Sequence, residues 1–166
     1  MFSIETDSNS SPEHYFQELN LQLSSLLSGE RDLICNAAQF SAFIMQTIEG
    51  LNWAGFYFAR GEELVLGPYV GKVACTRIPF GRGVCGAAAV TEAIQRIDDV
   101  HAFEGHIACD AASASELVVP VINGDELIGV FDIDSPSVGR FSAVDQAGIE
   151  SLVATFVAAT DFKWAI

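Results

Sequence analysis

The chain has 166 residues, with 8 Lys and Arg against 22 Asp and Glu, which gives a formal net charge of −14 at pH 7. Half of the residues are apolar and 18% are charged, which is typical of one globular domain and excludes a disordered chain. The acidic balance argues against nucleic acids and anionic membranes as partners, because phosphate groups are bound by Lys and Arg.

Helices are predicted at the start of the chain. Ser11 and Pro12 form a typical helix start, with Ser at the N-cap and Pro at the first helical position. Apolar residues then recur at helical spacing as far as Leu27, and a second apolar stripe runs from about Asp32 to Gly50. Two helices are therefore expected before the first strand.

Strands and a short helix follow. Residues 51–58 are rich in aromatic side chains and, like residues 63–69, predict a strand. The glycine-rich segment 71–83 predicts a loop or a short strand. Residues 84–93 predict a short helix, and residues 97–114 predict a long loop.

The remaining sequence predicts a hairpin and a final helix. Strands at 116–122 and 127–133 are joined by the turn residues 123–126. A helix begins at Ser142, with Asp145 placed as in a capping box. This order of elements predicts an α+β domain with helices packed on a largely antiparallel sheet.

Carboxylates are expected to gather on one face of the hairpin. Side chains alternate along a strand, so Asp132 and Asp134 should share a face with Ile128 and Val130. Glu116 lies on the neighbouring strand, so the hairpin brings three carboxylates to one end of one sheet face.

Aromatic residues are expected beside these acids. Trp53, Gly55 and Tyr57 share a face of their strand, and the glycine leaves room between the two aromatic side chains. An aromatic wall with clustered acids suits an ammonium or sulfonium-like group. Crowded carboxylates also raise one another's pKa, so that one can donate a proton. The alternative is that the acids are solvated residues of strand ends and turns.

The cysteines suggest redox chemistry. The sequence has neither a secretory signal nor an apolar run of the roughly 20 residues that a membrane helix needs, so we expect a cytoplasmic protein, in which structural disulfides are rare. Two thiols that meet across a loop can attack a substrate and then close a disulfide. The four cysteines are Cys35, Cys75, Cys85 and Cys109.

Charge along the chain bears on these thiols. Residues 64–91 contain no Asp or Glu but carry Arg77 and Arg82, which are expected to favour thiolates nearby, whereas residues 92–134 carry ten acids and one Arg. Two other interpretations stay open. Free cysteines are usually small buried hydrophobes, and for Cys35 we expect either a core or a surface residue without a chemical role. A metal site is disfavoured because the spacing of its candidates matches no regular zinc motif; they are Cys75, Cys85, His101, His106 and Cys109.

Five runs then occur in order: NWAGFY at 52–57, LGPY and GKVAC within 66–75, RIP and GRGVCG within 77–86, HIACDAAS and SE within 106–116, and DIDS at 132–135. Together they resemble the free methionine-(R)-sulfoxide reductases, which are stand-alone GAF-domain enzymes. The resemblance runs from about residue 14 to residue 163. It implies one GAF domain at residues 13–166, preceded by an N-terminal extension at 1–12.

The resemblance also implies roles for the cysteines. Cys109 matches the nucleophile that attacks the sulfoxide sulfur of the free amino acid and becomes a sulfenic acid. Cys75 matches the resolving cysteine, whose disulfide with Cys109 thioredoxin reduces. Cys85 matches a third cysteine, an alternative resolver or a relay. No bound cofactor is implied, since electrons come from NADPH through thioredoxin reductase and thioredoxin.

The remaining pocket residues are implied in the same way. The resemblance makes Trp53 and Tyr57 a wall around the substrate methyl and sulfur. The residues implied to hold the ammonium and to protonate the sulfoxide oxygen are Glu116, Asp132 and Asp134. For the substrate carboxylate, backbone N–H groups of residues 109–116, Arg77 and Arg82 all stay open.

Two further expectations concern the whole molecule. The family's homodimers imply a homodimer here. The competing functional hypothesis is a non-catalytic GAF module that binds a small ligand and signals by changing conformation, because a fold alone does not decide function.

Overall fold

The fold was determined from a computed structural model, which describes residues 3–5, 10–103 and 112–163. In chain order the helices are α1 (Pro12–Leu26), α2 (Leu33–Thr47), α3 (Gly83–Thr91) and α4 (Ala143–Ala159). The strands are β1 (Trp53–Arg60), β2 (Glu63–Gly71), β3 (Arg77–Pro79), β4 (Gln95–Ile97), β5 (Ser115–Asn123) and β6 (Glu126–Ser135). A 3-10 turn at Val100–Ala102 follows β4.

The helix boundaries follow from capping side chains. Ser11 accepts a hydrogen bond from the backbone N–H of His14, with Pro12 at the first helical position of α1. Ser142 and Asp145 form a reciprocal capping box at the start of α4. Both predicted helix starts are confirmed. No helix in the described ranges is long and apolar enough to cross a membrane.

The strands form one antiparallel sheet in the order β3-β2-β1-β6-β5-β4. The predicted β5–β6 hairpin is present and closes through the turn at Gly124, whose φ of 64° is a conformation that glycine adopts readily. This architecture confirms the predicted α+β class with a largely antiparallel sheet.

The two faces of the sheet carry different cores. On one face α1, α2 and α4 enclose an aromatic cluster, in which the Phe40 ring lies 4.7 Å from Phe131 and 5.4 Å from Phe156, measured between ring centroids. On the other face α3 packs against Val118 and Val130 in a smaller cluster. The carboxylates that were predicted to gather on one sheet face lie on this second face.

Two predictions about local structure are wrong. Ile128 belongs to the helix-covered core with Phe131 and not to the face of Asp132, because the β5–β6 register shifts and leaves Ile128 without an opposite residue. The segment predicted as a long loop begins with the end of β4 and the 3-10 turn. Strand β4 has only three residues, too few to show an alternating pattern.

Candidate functional site

Two rows of paired residues cross β1, β6 and β5 and define the site. Trp53 pairs with Asp134, which pairs in turn with Glu116. In the next row Asp132 lies between Gly55 and Val118. Since directly paired residues in antiparallel strands point to the same side, these rows place the three carboxylates and the aromatic wall on one face. The grouping predicted from strand alternation is confirmed.

The aromatic wall is a stack of three rings. The Trp53 ring lies 5.9 Å from Tyr57 and 5.2 Å from Tyr69, both in stacked orientation. A Cβ on Gly55 would lie 2.3 Å from the Tyr69 Cβ, so only glycine leaves room for this stack. Tyr69 was not predicted as a wall residue. The feature that would have indicated it is its position in β2, directly opposite Gly55, which has no side chain.

Two of the three carboxylates are buried. Glu116 and Asp132 are each 6% exposed, and their carboxyl groups are hydrogen-bonded to each other. Burial raises the pKa of both groups well above the ordinary value, because an ionised carboxylate loses its hydration there. The charge of Asp134 raises the pKa of Glu116 further. A carboxyl group that keeps its proton near neutral pH can act as an acid.

Helix α3 brings Cys85 against these acids. Its thiol is free and buried, with Sγ 3.8 Å from Oε1 of Glu116. Burial raises the pKa of this thiol strongly, and the charges of Asp132 and Glu116 add to the effect. The expectation that Arg77 and Arg82 favour a thiolate is therefore wrong for Cys85, whose electrostatic neighbours come from β5 and β6.

The segment joining β2 to β3, residues 72–76, is called here the Cys75 loop, and it is attached to the aromatic wall. The Tyr57 hydroxyl donates to the carbonyl of Cys75 at 3.0 Å, and Trp53 Nε1 donates to the carbonyl of Lys72 at 3.2 Å. Burial and the charge of Asp132 raise the pKa of Tyr57, so its hydroxyl stays a donor. Cys75 is half-buried and disulfide-bonded.

Other predicted residues lie apart from the site or outside the described ranges. Cys109 and His106 fall outside the residues that the structure describes. Cys35 is an exposed free thiol on α2, so of the two expected positions, core or surface, it takes the surface. Arg77 forms an ion pair with Glu63 on the neighbouring strand.

Of the five candidates for the disfavoured metal site, Cys85 is the one that belongs to the donor cluster seen in the described ranges. Within the described ranges, the group of donor atoms close enough to hold a metal ion comes from Cys85, Glu116 and Asp132, whose atoms lie within 4.8 Å of one another. His101 is exposed on the 3-10 turn, with Nδ1 2.9 Å from Asp99 Oδ1. A thiol with two buried carboxyl groups can attract a cation of either kind, a metal ion or an organic ammonium.

Comparison with known proteins identifies the class. A family model described as "GAF domain" matches residues 36–161. A solved structure described as a GAF sensor protein from Burkholderia vietnamiensis superposes with a TM-score of 0.88 at 53% identity, covering 91% of this chain and 96% of that chain. The fold is that of a single GAF domain.

Two relatives narrow the family. A curated protein from Escherichia coli (strain K12), named free methionine-R-sulfoxide reductase, is 47% identical over 152 residues, which are 90% of this chain and 92% of that protein. The structure of a free methionine-R-sulfoxide reductase from Neisseria meningitidis, in complex with its substrate, superposes with a TM-score of 0.90 at 35% identity and covers 96% of this chain and 95% of that chain. The chain belongs to the GAF-domain family of free methionine-R-sulfoxide reductases.

Proposed function

We propose that this protein reduces free methionine-(R)-sulfoxide to methionine by thiol chemistry. The observation that carries the proposal is the buried carboxyl cluster beside an aromatic wall that is bonded to the Cys75 loop. The names of the relatives in Escherichia coli and Neisseria meningitidis support the same activity.

The carboxyl groups suit the ammonium of a free amino acid. Oδ1 of Asp132 is buried and has no hydrogen-bond partner within the described residues, so a bound ammonium would supply the donor that it lacks. Glu116 and Asp134 lie in the adjacent row and add negative charge. A methionine sulfoxide inside a peptide has no ammonium, so the cluster selects the free amino acid.

The aromatic wall suits the other end of the substrate. Trp53 and Tyr57 present stacked ring faces to the side of the sheet that carries the acids. Methyl and sulfur groups pack favourably against aromatic rings, and the partial positive charge on a sulfoxide sulfur is attracted to a ring face. We propose that the methyl-sulfoxide group lies against this wall.

The first chemical step belongs to Cys109. Its thiolate attacks the sulfoxide sulfur while a carboxyl group of the cluster that does not hold the ammonium protonates the sulfoxide oxygen and makes the sulfur more electrophilic. The net result is that the S–O bond of the substrate breaks, methionine leaves, and the oxygen remains on Cys109 as a sulfenic acid. The substrate sulfur is reduced by two electrons and the cysteine sulfur is oxidised by two.

The second step returns the enzyme to its starting state. The thiol of Cys75 attacks the Cys109 sulfur and displaces its oxygen as water, which forms a Cys75–Cys109 disulfide. Thioredoxin then reduces this disulfide by dithiol exchange, with NADPH as the ultimate electron source. The disulfide-bonded state of Cys75 supports its place in this step. We propose that the cycle takes place in the cytoplasm and in a homodimer.

A single-turnover experiment tests these assignments. Reduced protein is mixed with the sulfoxide without thioredoxin, and released methionine and disulfide are both quantified. The unmodified chain should release one methionine per chain and form one disulfide. Cys109→Ser should release none, whereas Cys75→Ser should release methionine without forming the disulfide. Methionine release by Cys109→Ser would show that the nucleophile is another group.

The pocket acids are tested in the same assay against a matched control. Glu116→Gln and Asp134→Asn should each slow methionine release by at least tenfold, because they remove charge that meets the ammonium. Asp98→Asn changes an exposed acid and should leave the rate unchanged. Equal effects of all three variants would indicate that Glu116 and Asp134 do not contact the substrate. A chain that binds the sulfoxide without releasing methionine would be the ligand-binding GAF module instead.

A further inference from the structure

Cys85 is the one residue of the cluster to which the proposed mechanism assigns no role. It lies in the first turn of α3, is 5% exposed, and carries a free thiol. The Cys75 loop and the acids of β5 and β6 lie on the same sheet face, so Cys85 is near both. Its contacts therefore decide between a redox role and a structural role.

The contacts of the thiol are with carboxyl groups. Sγ lies 3.8 Å from Oε1 of Glu116, within hydrogen-bond range for sulfur, and the Asp132 carboxyl is a second close neighbour. The donor atoms of all three residues fall within 4.8 Å of one another. Because a carboxylate can only accept, the S–H group is the donor in these contacts.

The surroundings of Cys85 disfavour a thiolate. Among the described residues, Tyr57 of β1 is a titratable neighbour of Cys85, and the charged groups that face it are the acids Glu116 from β5 and Asp132 and Asp134 from β6. Together with burial they raise the pKa of the thiol, which therefore keeps its proton. A protonated thiol is a poor attacking group in disulfide exchange, but it is a competent hydrogen-bond donor.

A hydrogen bond from Cys85 also acts on the acids. Donation to a carboxylate favours its ionised form, and the Cys85 contact lowers the pKa of Glu116 and of Asp132 against the much larger effect of burial. The thiol is held by the first turn of α3, so it constrains the direction in which the Glu116 carboxyl points. A fixed carboxyl orientation is what recognition of an ammonium requires.

We propose that Cys85 is a positioning residue, whose thiol holds the Glu116 carboxyl toward the substrate ammonium and takes no part in electron transfer. This inference rests on the proposed function and deepens it. It assigns the binding of the ammonium to a unit of three side chains from α3, β5 and β6. It leaves the redox cycle to Cys75 and Cys109.

The test compares a serine and an alanine at this position. Cys85→Ser keeps a donor of similar shape, so KM for the sulfoxide should stay within about threefold of the unmodified protein. Cys85→Ala leaves the Glu116 carboxyl without its donor and should raise KM by about tenfold, the effect of losing one hydrogen bond to a charged group, while kcat changes little. Cys35→Ser, at an exposed cysteine, is the control and should change neither constant.

Three results would overturn the inference. One is that serine and alanine are equally impaired because disulfide formation or reduction by thioredoxin is lost, which would make Cys85 a redox residue. Another is that alanine leaves KM unchanged. Since a core variant can fail to fold, unmodified protein is also alkylated after one turnover and digested; Cys85 should be recovered as an alkylated thiol, and recovery in a disulfide peptide is the third overturning result. If the unmodified protein releases no methionine, the proposed function has failed instead.

Discussion

At the scale of single residues, the site contains two carboxyl groups whose surroundings disfavour the ionised form. Glu116 and Asp132 lie beside each other with little solvent contact, and burial raises the pKa of both. Ionised carboxylates in such surroundings lower the stability of the folded chain unless a cation accompanies them. The proposed ammonium site therefore carries an unfavourable free energy when its acids are ionised without a cation.

A substitution at Asp132 should reveal this unfavourable free energy as a gain in stability. The pKa of its carboxyl is raised in the folded chain, so its contribution to stability is complete below pH ~4 and is lost as the pH rises through the raised value. The asparagine side chain of Asp132→Asn is neutral at every pH, so this variant should be more stable than the unmodified protein at pH 8. Each kcal/mol gained in the free energy of unfolding should raise Tm by on the order of 2 to 4 °C. The difference should shrink toward pH 4, and activity should be lost.

The measurement is thermal or urea unfolding of the substrate-free, reduced protein at several pH values. Asp98→Asn, which removes an exposed acid, is the control and should show no comparable gain at pH 8. If Asp132→Asn is less stable than the unmodified protein at pH 8, the carboxyl group stabilises the fold and the account of its burial is incorrect.

The sequence predicted which acids meet but not what surrounds Cys85. Strand alternation and a hairpin turn suffice to place Glu116 near Asp132, because both rules are local. The neighbours of Cys85 come from strands more than 25 residues later in the chain, and the packing of α3 on the sheet decides the contact. The arginines near Cys85 in the sequence predicted a lowered pKa for its thiol, whereas its pKa is raised.

At the scale of elements, the aromatic wall is joined to the loop that carries Cys75. Tyr57 and Trp53 on β1 donate to two carbonyls of the Cys75 loop, and the same side chains form the aromatic wall. This connection sets the position of the Cys75 backbone relative to the pocket. It gives the wall a second role in addition to the proposed packing against the substrate.

Removing one hydroxyl separates these two purposes. Tyr57→Phe keeps the ring but loses the bond to the Cys75 carbonyl, so the first methionine should be released at a rate within about twofold of normal. Closure of the disulfide should slow by about three- to tenfold, the effect of about 0.5 to 1.5 kcal/mol from one hydrogen bond. The fraction of sulfenic acid trapped by dimedone should rise accordingly.

The control is Tyr15→Phe, which removes a hydroxyl that donates to the Thr47 carbonyl, outside the site. It should alter neither methionine release nor trapping. Unchanged trapping in Tyr57→Phe would mean that the hydroxyl does not position the Cys75 loop, and slower methionine release in that variant would assign it to substrate binding.

The errors in predicting elements have a common physical cause. Helix starts were predictable because Ser11 and Ser142 cap their own helices through contacts three residues away. Strand β4 and the displaced Ile128 depend on pairing with β5, which is a tertiary interaction. Local patterns could not reveal either, since one is too short and the other changes the alternation within a strand.

At the scale of the whole molecule, the uneven charge acquires a spatial meaning. Of the ten acids in residues 92–134, Glu116 and Asp132 are turned into the protein on adjacent strands and Asp134 accompanies them, half-buried. The basic segment is partly neutralised, since Arg77 pairs with Glu63. The acids of the chain thus include a small internal group, to which the proposed function assigns the binding of a cation.

The central claim is that this group, the aromatic wall and the redox cysteines together reduce one isomer of one free amino acid. The most direct measurement offers the separated R and S isomers of free methionine sulfoxide, with thioredoxin, thioredoxin reductase and NADPH, and follows the loss of NADPH. We expect NADPH loss with the R isomer alone. Turnover of the S isomer, or no turnover of either, would contradict the account.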